Sequence, residues 1–180
     1  MQRSILIFDN SGSMISCDKS AHTIATAILS AASPTHLFGF ISFNDRVYLQ
    51  SYYESHPAPL LAKLNALAPP RGRTELMDAL MVALCADDVR PDDLIVISDN
   101  GENASEVSTE CLKVMLKDRR VRWIRPRPTL VAPPSFPFLA DPPGRIKLLD
   151  VVEAKVDDFS KITDDQKFAA ALNLLHDSVR

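Results

Sequence analysis

The sequence predicts an α/β fold: a doubly wound, mainly parallel sheet with one antiparallel edge strand and helices on both faces. Short apolar runs such as Ser4-Ile5-Leu6-Ile7-Phe8 and Leu94-Ile95-Val96-Ile97 alternate with longer segments whose apolar residues recur at helical spacing. That is the pattern of strands buried on both faces and the crossover helices between them. His36–Phe43 and Arg46–Ser51 are separated only by Asn44-Asp45. A connection that short makes a hairpin, so one strand must run antiparallel. With 180 residues, 46% of them hydrophobic, the chain can bury one sizeable core and is short for two.

Taken in order, Arg3–Phe8 reads as a buried strand, and Lys19–Ala32 as an Ala- and Ile-rich helix stopped by Ser33-Pro34. Pro59–Leu67 and Glu75–Ala86 read as helices on either side of the loop Pro69-Pro70-Arg71-Gly72-Arg73. Asp93–Ser98 is a second buried strand, Ser105–Lys117 a helix and Val121–Ile124 a short strand. Seven prolines between Pro126 and Pro143 disfavour helix and central strand. Residues at about 126–145 are therefore expected to form a long surface insertion within a single domain spanning 1–180. Leu148–Val152 reads as a returning strand, and closing helices are expected at about 155–178.

A net charge of -3 and a pI near 5.8 argue against binding to nucleic acid or membrane driven by overall charge, leaving room for a local basic patch. No stretch has the roughly 18–20 apolar residues of a membrane span, and the first apolar run is too short for a signal peptide. A cytoplasmic protein with no membrane partner is expected. Cys17, Cys85 and Cys111 are odd in number and far apart, which reads as reduced, packed thiols. His22, His36, His56 and His176 lack metal-ligand spacing.

The strongest local signal is Asp9-Asn10-Ser11-Gly12-Ser13, directly after the first buried strand. Ligands of a doubly wound sheet sit beyond the carboxyl ends of its parallel strands, where Asp9 stands. Residues two apart in an extended turn point to one side, so the Ser11 and Ser13 hydroxyls follow Asp9. Asp99 ends the strand Leu94–Ser98 at the same end of the sheet, and Thr74 stands at the start of the helix Glu75–Ala86. Two carboxylates and three hydroxyls thus converge on one crevice.

Five oxygen donors without His or Cys suit a hard cation, Mg2+ or Mn2+ before zinc. With only two charged ligands, such an ion keeps positive charge, and an Asp or Glu offered by a protein partner would complete its shell. That is recognition without a bond broken, so no catalytic residue is assigned. In the plainer reading, the Asp9 group caps the following helix, Thr74 is an N-cap, and Glu75 and Glu102 are solvated carboxylates.

These residues resemble the metal-ion-dependent adhesion site of von Willebrand factor A (vWA) domains: Asp9-x-Ser11-x-Ser13, then Thr74, then Asp99, over a stretch from Arg3 to about Lys117. The resemblance implies a Mg2+-dependent protein-interaction module. A narrower likeness, carried by Asp99-Asn100-Gly101-Glu102, Ala140-Asp141-Pro142, Leu149-Asp150-Val151-Val152 and Phe159, is to the carboxyl-terminal vWA domain of the Ro autoantigen (TROVE) family, whose members bind small noncoding RNAs. The helical-repeat ring that carries RNA in that family has no counterpart here.

Two alternatives stand beside this reading. The basic cluster 117–127 contains Arg120, Arg122, Trp123, Arg125 and Arg127, and an aromatic among arginines can stack and clamp single-stranded RNA in a Ro-like accessory role. The plainer account puts Val121, Trp123 and Ile124 in the core and the arginines on a solvated edge. A metal-dependent phosphatase would share Asp9 as nucleophile, but it needs a second Asp two residues on as acid and base, where Ser11 stands.

Overall fold

A computed structural model describes residues 1–85, 91–99, 120–127 and 146–152. Six strands form one sheet: β1 (Gln2–Asp9), β2 (His36–Phe43), β3 (Val47–Glu54), β4 (Asp93–Ile97), β5 (Arg120–Arg127) and β6 (Ile146–Val152). They lie in the order β3-β2-β1-β4-β5-β6. All neighbours pair parallel except β2 with β3, which form the expected antiparallel hairpin at one edge.

Alternation along each strand divides the core into two layers, as pleating requires. Leu6, Phe8, Phe38, Phe40, Ile95, Ile97 and Ile124 pack under α1 (Asp18–Leu29) and α2 (Pro57–Asn65). Their neighbours Ile5, Ile7, Ile41, Phe43, Leu94, Val96, Val121 and Trp123 form a second layer on the opposite face, where α3 (Leu76–Cys85) packs against β1, β2 and β3. Helices therefore cover both faces, and β1 and β4 are buried on both sides. Among the described residues, no helix is long and apolar enough to cross a membrane.

The order of connections creates a crevice in the sheet. From β1 the chain crosses to β2 on one side, and after the hairpin it returns to β4 on the other side of β1. Parallel crossovers in opposite directions open the sheet at the carboxyl ends of β1 and β4, the switch point of an open α/β fold. A six-residue 3-10 segment, Gly12–Cys17, leads from β1 into α1, so helical structure begins ahead of the expected Lys19, and α1 itself ends at Leu29, short of the expected Ala32.

Two expectations need correction. The proline-rich insertion does not begin at 126, because β5 runs on to Arg127 with Pro126 opposite Val151 of β6. The backbone shows why: the Ser98 amide donates to the Ile124 carbonyl at 3.1 Å, and β4 pairs no further than Ile97 with Ile124. Pro126, two residues on, directs its backbone to the same side, where that ladder has ended and a missing N–H leaves no gap.

The second correction concerns Trp123, which is fully buried on the face of the sheet that carries α3 and has no exposed face on which a base could stack. The expected insertion from residue 128 to 145, the helix Ser105–Lys117 and the closing helices at 155–178 lie outside the described residues. Truncating a buried aromatic removes packing on every side. Trp123→Ala is expected to lower stability by about 3–5 kcal/mol in urea denaturation; a loss below about 1 kcal/mol would place the indole at the surface.

Candidate metal centre

Asp9 ends β1 and Ser98 follows the end of β4. The register pairs Phe8 with Ile97, so the next residue of each strand meets the other. The Ser98 hydroxyl donates to Asp9 Oδ2 at 2.6 Å, and the Ser11 amide donates to Asp9 Oδ1 at 2.9 Å. The Ser11 and Ser13 hydroxyls lie 3.0 Å apart, and the Ser13 hydroxyl donates to Asp99 Oδ1 at 3.1 Å. A continuous line of oxygens thus runs across the crevice from β1 to the residue after β4. Asp9, Ser11 and Ser98 form its buried floor, while Ser13 is exposed and Asp99 half-buried at its mouth.

The loop around this line is fixed by backbone bonds. The Asn10 amide donates to the Phe43 carbonyl at 2.7 Å, and the Asn10 side-chain amide donates to the Ala68 carbonyl at 3.0 Å. The Gly12 amide donates to the Gly72 carbonyl and the Arg71 amide to the Asn10 carbonyl, both at 3.0 Å. Gly72 has φ of 79°, and a Cβ there would lie 3.0 Å from Asp45 Oδ1, so this turn requires glycine. Glu75 donates its amide to the Asn44 carbonyl at 2.8 Å. Thr74, half-buried, stands between these anchors on the stretch docked beside the Asp9 loop.

Of the five residues expected at the site, hydrogen bonds join Asp9, Ser11, Ser13 and Asp99; Thr74 is held nearby by its neighbours' backbone. Sequence reasoning misses Ser98 and Asn10. The signal for Ser98 is its place between an apolar strand and Asp99, visible only once β1 and β4 are known to be adjacent.

The electrostatics suit a cation. Burial pushes the Asp9 carboxyl up to about 6 and the charge of Asp99 adds to it, while hydrogen bonds from Ser98 and Ser11 offset only part. No group of three or more His, Cys, Asp or Glu side chains arranged to hold a metal occurs among the described residues. The donor set here is different in kind: two carboxylates and neutral hydroxyls, all hard oxygen, which fits Mg2+ or Mn2+.

Only the first part of the basic cluster lies elsewhere; Arg125 and Arg127 follow Ile124, which is level with Ile97, and so stand on the backbone at the Asp99 end of the sheet. Arg122 pairs with Asp93 at 3.5 Å, and Asp93 begins β4, at the end of the sheet opposite Asp99. The same end holds a bond from the Gln2 side chain to Asp93 Oδ2 at 2.7 Å and a 2.8 Å contact between Ser4 and His36. Ser4 is fully buried, which makes this contact polar packing. The Arg122 side chain is 11% exposed, so of the expected nucleic-acid contacts Trp123 is enclosed and Arg122 largely so. The side chains of Arg120, Arg125 and Arg127 lie outside the described residues.

The sequence matches no family profile and no curated protein. Solved structures do match: the vWA domain of SpRpn10 (TM-score 0.63, 14% identity, covering 91% of this chain and 96% of that one) and BatB from Bacteroides thetaiotaomicron (0.64, 17%, 94% and 100%). Proximal thread matrix protein 1 from the mussel byssus matches at 0.60 and 15% identity, over 94% of this chain and 46% of that one. The chain has the vWA fold.

Because the Asp9 carboxyl sits at about 6 when folded and near 3.8 in the unfolded chain, the folded state holds the extra proton between those values. Its contribution to stability is full below pH 3.8 and is lost as pH rises through 6. In the metal-free protein, Asp9→Asn is expected to remove that decline, worth about 3 kcal/mol, from the stability profile between pH 4 and 7. A variant with the wild-type slope over that range would show that Asp9 is not the titrating group.

Proposed function

We propose that the chain is a divalent-metal-dependent protein-interaction module in which Asp9, Ser11, Ser13, Thr74 and Asp99 hold Mg2+ or Mn2+, directly or through water. The observation that carries the reading is the fully buried Asp9 carboxylate, hydrogen-bonded into a line of oxygens that reaches Asp99 at the switch point of the sheet. Burying a carboxylate beside another is unfavourable without a countercharge, and a cation supplies one. When bound, the ion would offer an acidic group a positively charged, incompletely filled coordination shell.

The rest is done by the chain's own residues. Asp9 and Ser11 form the protected floor, Ser13 and Asp99 open to the surface, and the docked 71–75 stretch brings Thr74 alongside. An Asp or Glu of a protein partner, approaching over Ser13, meets this mouth. Position 11 holds Ser, so the acid and base that a phosphatase needs has no carboxylate there. The Ro-like RNA reading is weakened by the burial of Trp123 and the pairing of Arg122. Of the residues carrying the narrower Ro likeness, only Asp99 and the strand residues 149–152 lie within the described part.

Ligand binding to the folded state alone stabilises it by mass action. At about a hundredfold excess over Kd, Mg2+ should add about 2.7 kcal/mol, a Tm rise of roughly 5–10 °C for a chain of this size. Asp9→Ala and Asp99→Ala should abolish the rise, and below pH 6 the wild-type affinity should fall about tenfold per unit as Asp9 takes up its proton. No shift at any Mg2+ or Mn2+ concentration would end the metal reading.

A further inference from the structure

The stretch that carries Thr74 also carries two arginines, and the structure fixes where they stand. Arg71 and Arg73 flank Gly72, the turn whose carbonyl receives the Gly12 amide, while the Arg71 amide is itself bonded to the Asn10 carbonyl. Arg71 is thereby tied at the backbone to the loop bearing Ser11 and Ser13, and Arg73 directly follows the tied Gly72. Asp45 backs the turn at Gly72, and Arg46 follows it at the tip of the β2–β3 hairpin. Arg46, Arg71 and Arg73 are all exposed, and none is ion-paired with a described residue. Asp45 and the half-buried Glu75 are the carboxylates of these two segments, against three exposed arginines, so among the described residues a net positive rim borders the mouth in a chain whose overall charge is -3.

We propose that Arg71 and Arg73, with Arg46 beside them, form an anionic subsite next to the metal centre, so that the partner is an acidic protein segment with clustered carboxylates. This rests on the metal reading above and goes further: one carboxylate meets the ion, and a second meets the guanidinium pair. The fit follows from charge and geometry. A guanidinium presents a planar fork of donors that matches a carboxylate, and a backbone pinned at Gly72 and Arg71 limits the entropy lost on binding. A single isolated Asp or Glu would use the ion alone. The two-point arrangement selects against it and raises the encounter rate of acidic segments.

The test uses two fluorescein-labelled peptides of equal length, one Glu-rich and one with a single Glu among Gly and Ser. Binding is read by fluorescence anisotropy in Mg2+ and in chelator, beside the Mg2+-induced Tm shift of each protein. The wild type is expected to prefer the Glu-rich peptide by about tenfold or more, only in Mg2+, and less as salt is raised. Arg71→Glu with Arg73→Glu should remove the preference and keep the Mg2+ shift, whereas Arg71→Lys with Arg73→Lys should retain part of it.

Equal affinity for the two peptides, or a preference untouched by charge reversal, overturns the subsite while a normal Mg2+ shift leaves the metal reading standing. Glu-rich binding that persists in chelator overturns the two-point site. Tighter, arginine-dependent capture of a labelled single-stranded oligouridylate would assign the rim to nucleic acid and overturn it too. Absence of the Mg2+ shift in the wild type instead removes the reading on which the proposal rests.

Discussion

The arrangement depends on one buried carboxylate. Asp9 ends a strand enclosed on both faces, at 0% exposure, and burial raises its carboxyl to about 6. An uncompensated charge in such a place is costly. The chain partly satisfies it with the Ser98 hydroxyl from the end of β4 and the Ser11 amide from its own loop. These two bonds also lock the switch point: Ser98 joins β1 to the end of β4, and Ser11 folds the loop back so that Ser13 reaches Asp99. Under the proposed function, a cation would complete what those neutral donors leave undone.

The same constraint accounts for the density of backbone anchors around residues 10–12. Four amide bonds tie this loop, the 71–75 stretch and the end of β2 together: Asn10 to Phe43, Gly12 to Gly72, Arg71 to Asn10 and Glu75 to Asn44. A site built from loops needs such support, since small displacements spoil coordination geometry. Gly72 is the clearest instance, because its positive φ and its closeness to Asp45 let the 71–75 stretch lie against the Asp9 loop. The loop that places Thr74 therefore also determines where Arg71 and Arg73 emerge.

Much of this is legible in the sequence. The apolar runs at 4–8 and 94–97 mark the two central strands because residues buried on both faces leave no alternation to misread, and Asn44-Asp45 marks the antiparallel edge. Asp9, Ser11, Ser13 and Asp99 are legible because they stand at or just beyond strand ends. Ser98 is not, because its role comes from the β1–β4 register, a long-range property. Trp123 illustrates a second limit: among arginines it offers a stacking platform beside the plainer reading as core, and its full burial bears out the plainer one. Pro126 misleads because proline is excluded from a strand only where its N–H would have paired, and here the neighbouring ladder has already stopped.

The central claim is that the oxygens gathered around Asp9 hold a hard divalent cation. Anomalous diffraction from crystals grown with Mn2+ tests it most directly. One peak is expected within about 2.5 Å of the Ser11 and Ser13 hydroxyl oxygens, with the Ser13–Asp99 hydrogen bond replaced by coordination. A peak elsewhere, or none with that 3.1 Å bond unchanged, would contradict it.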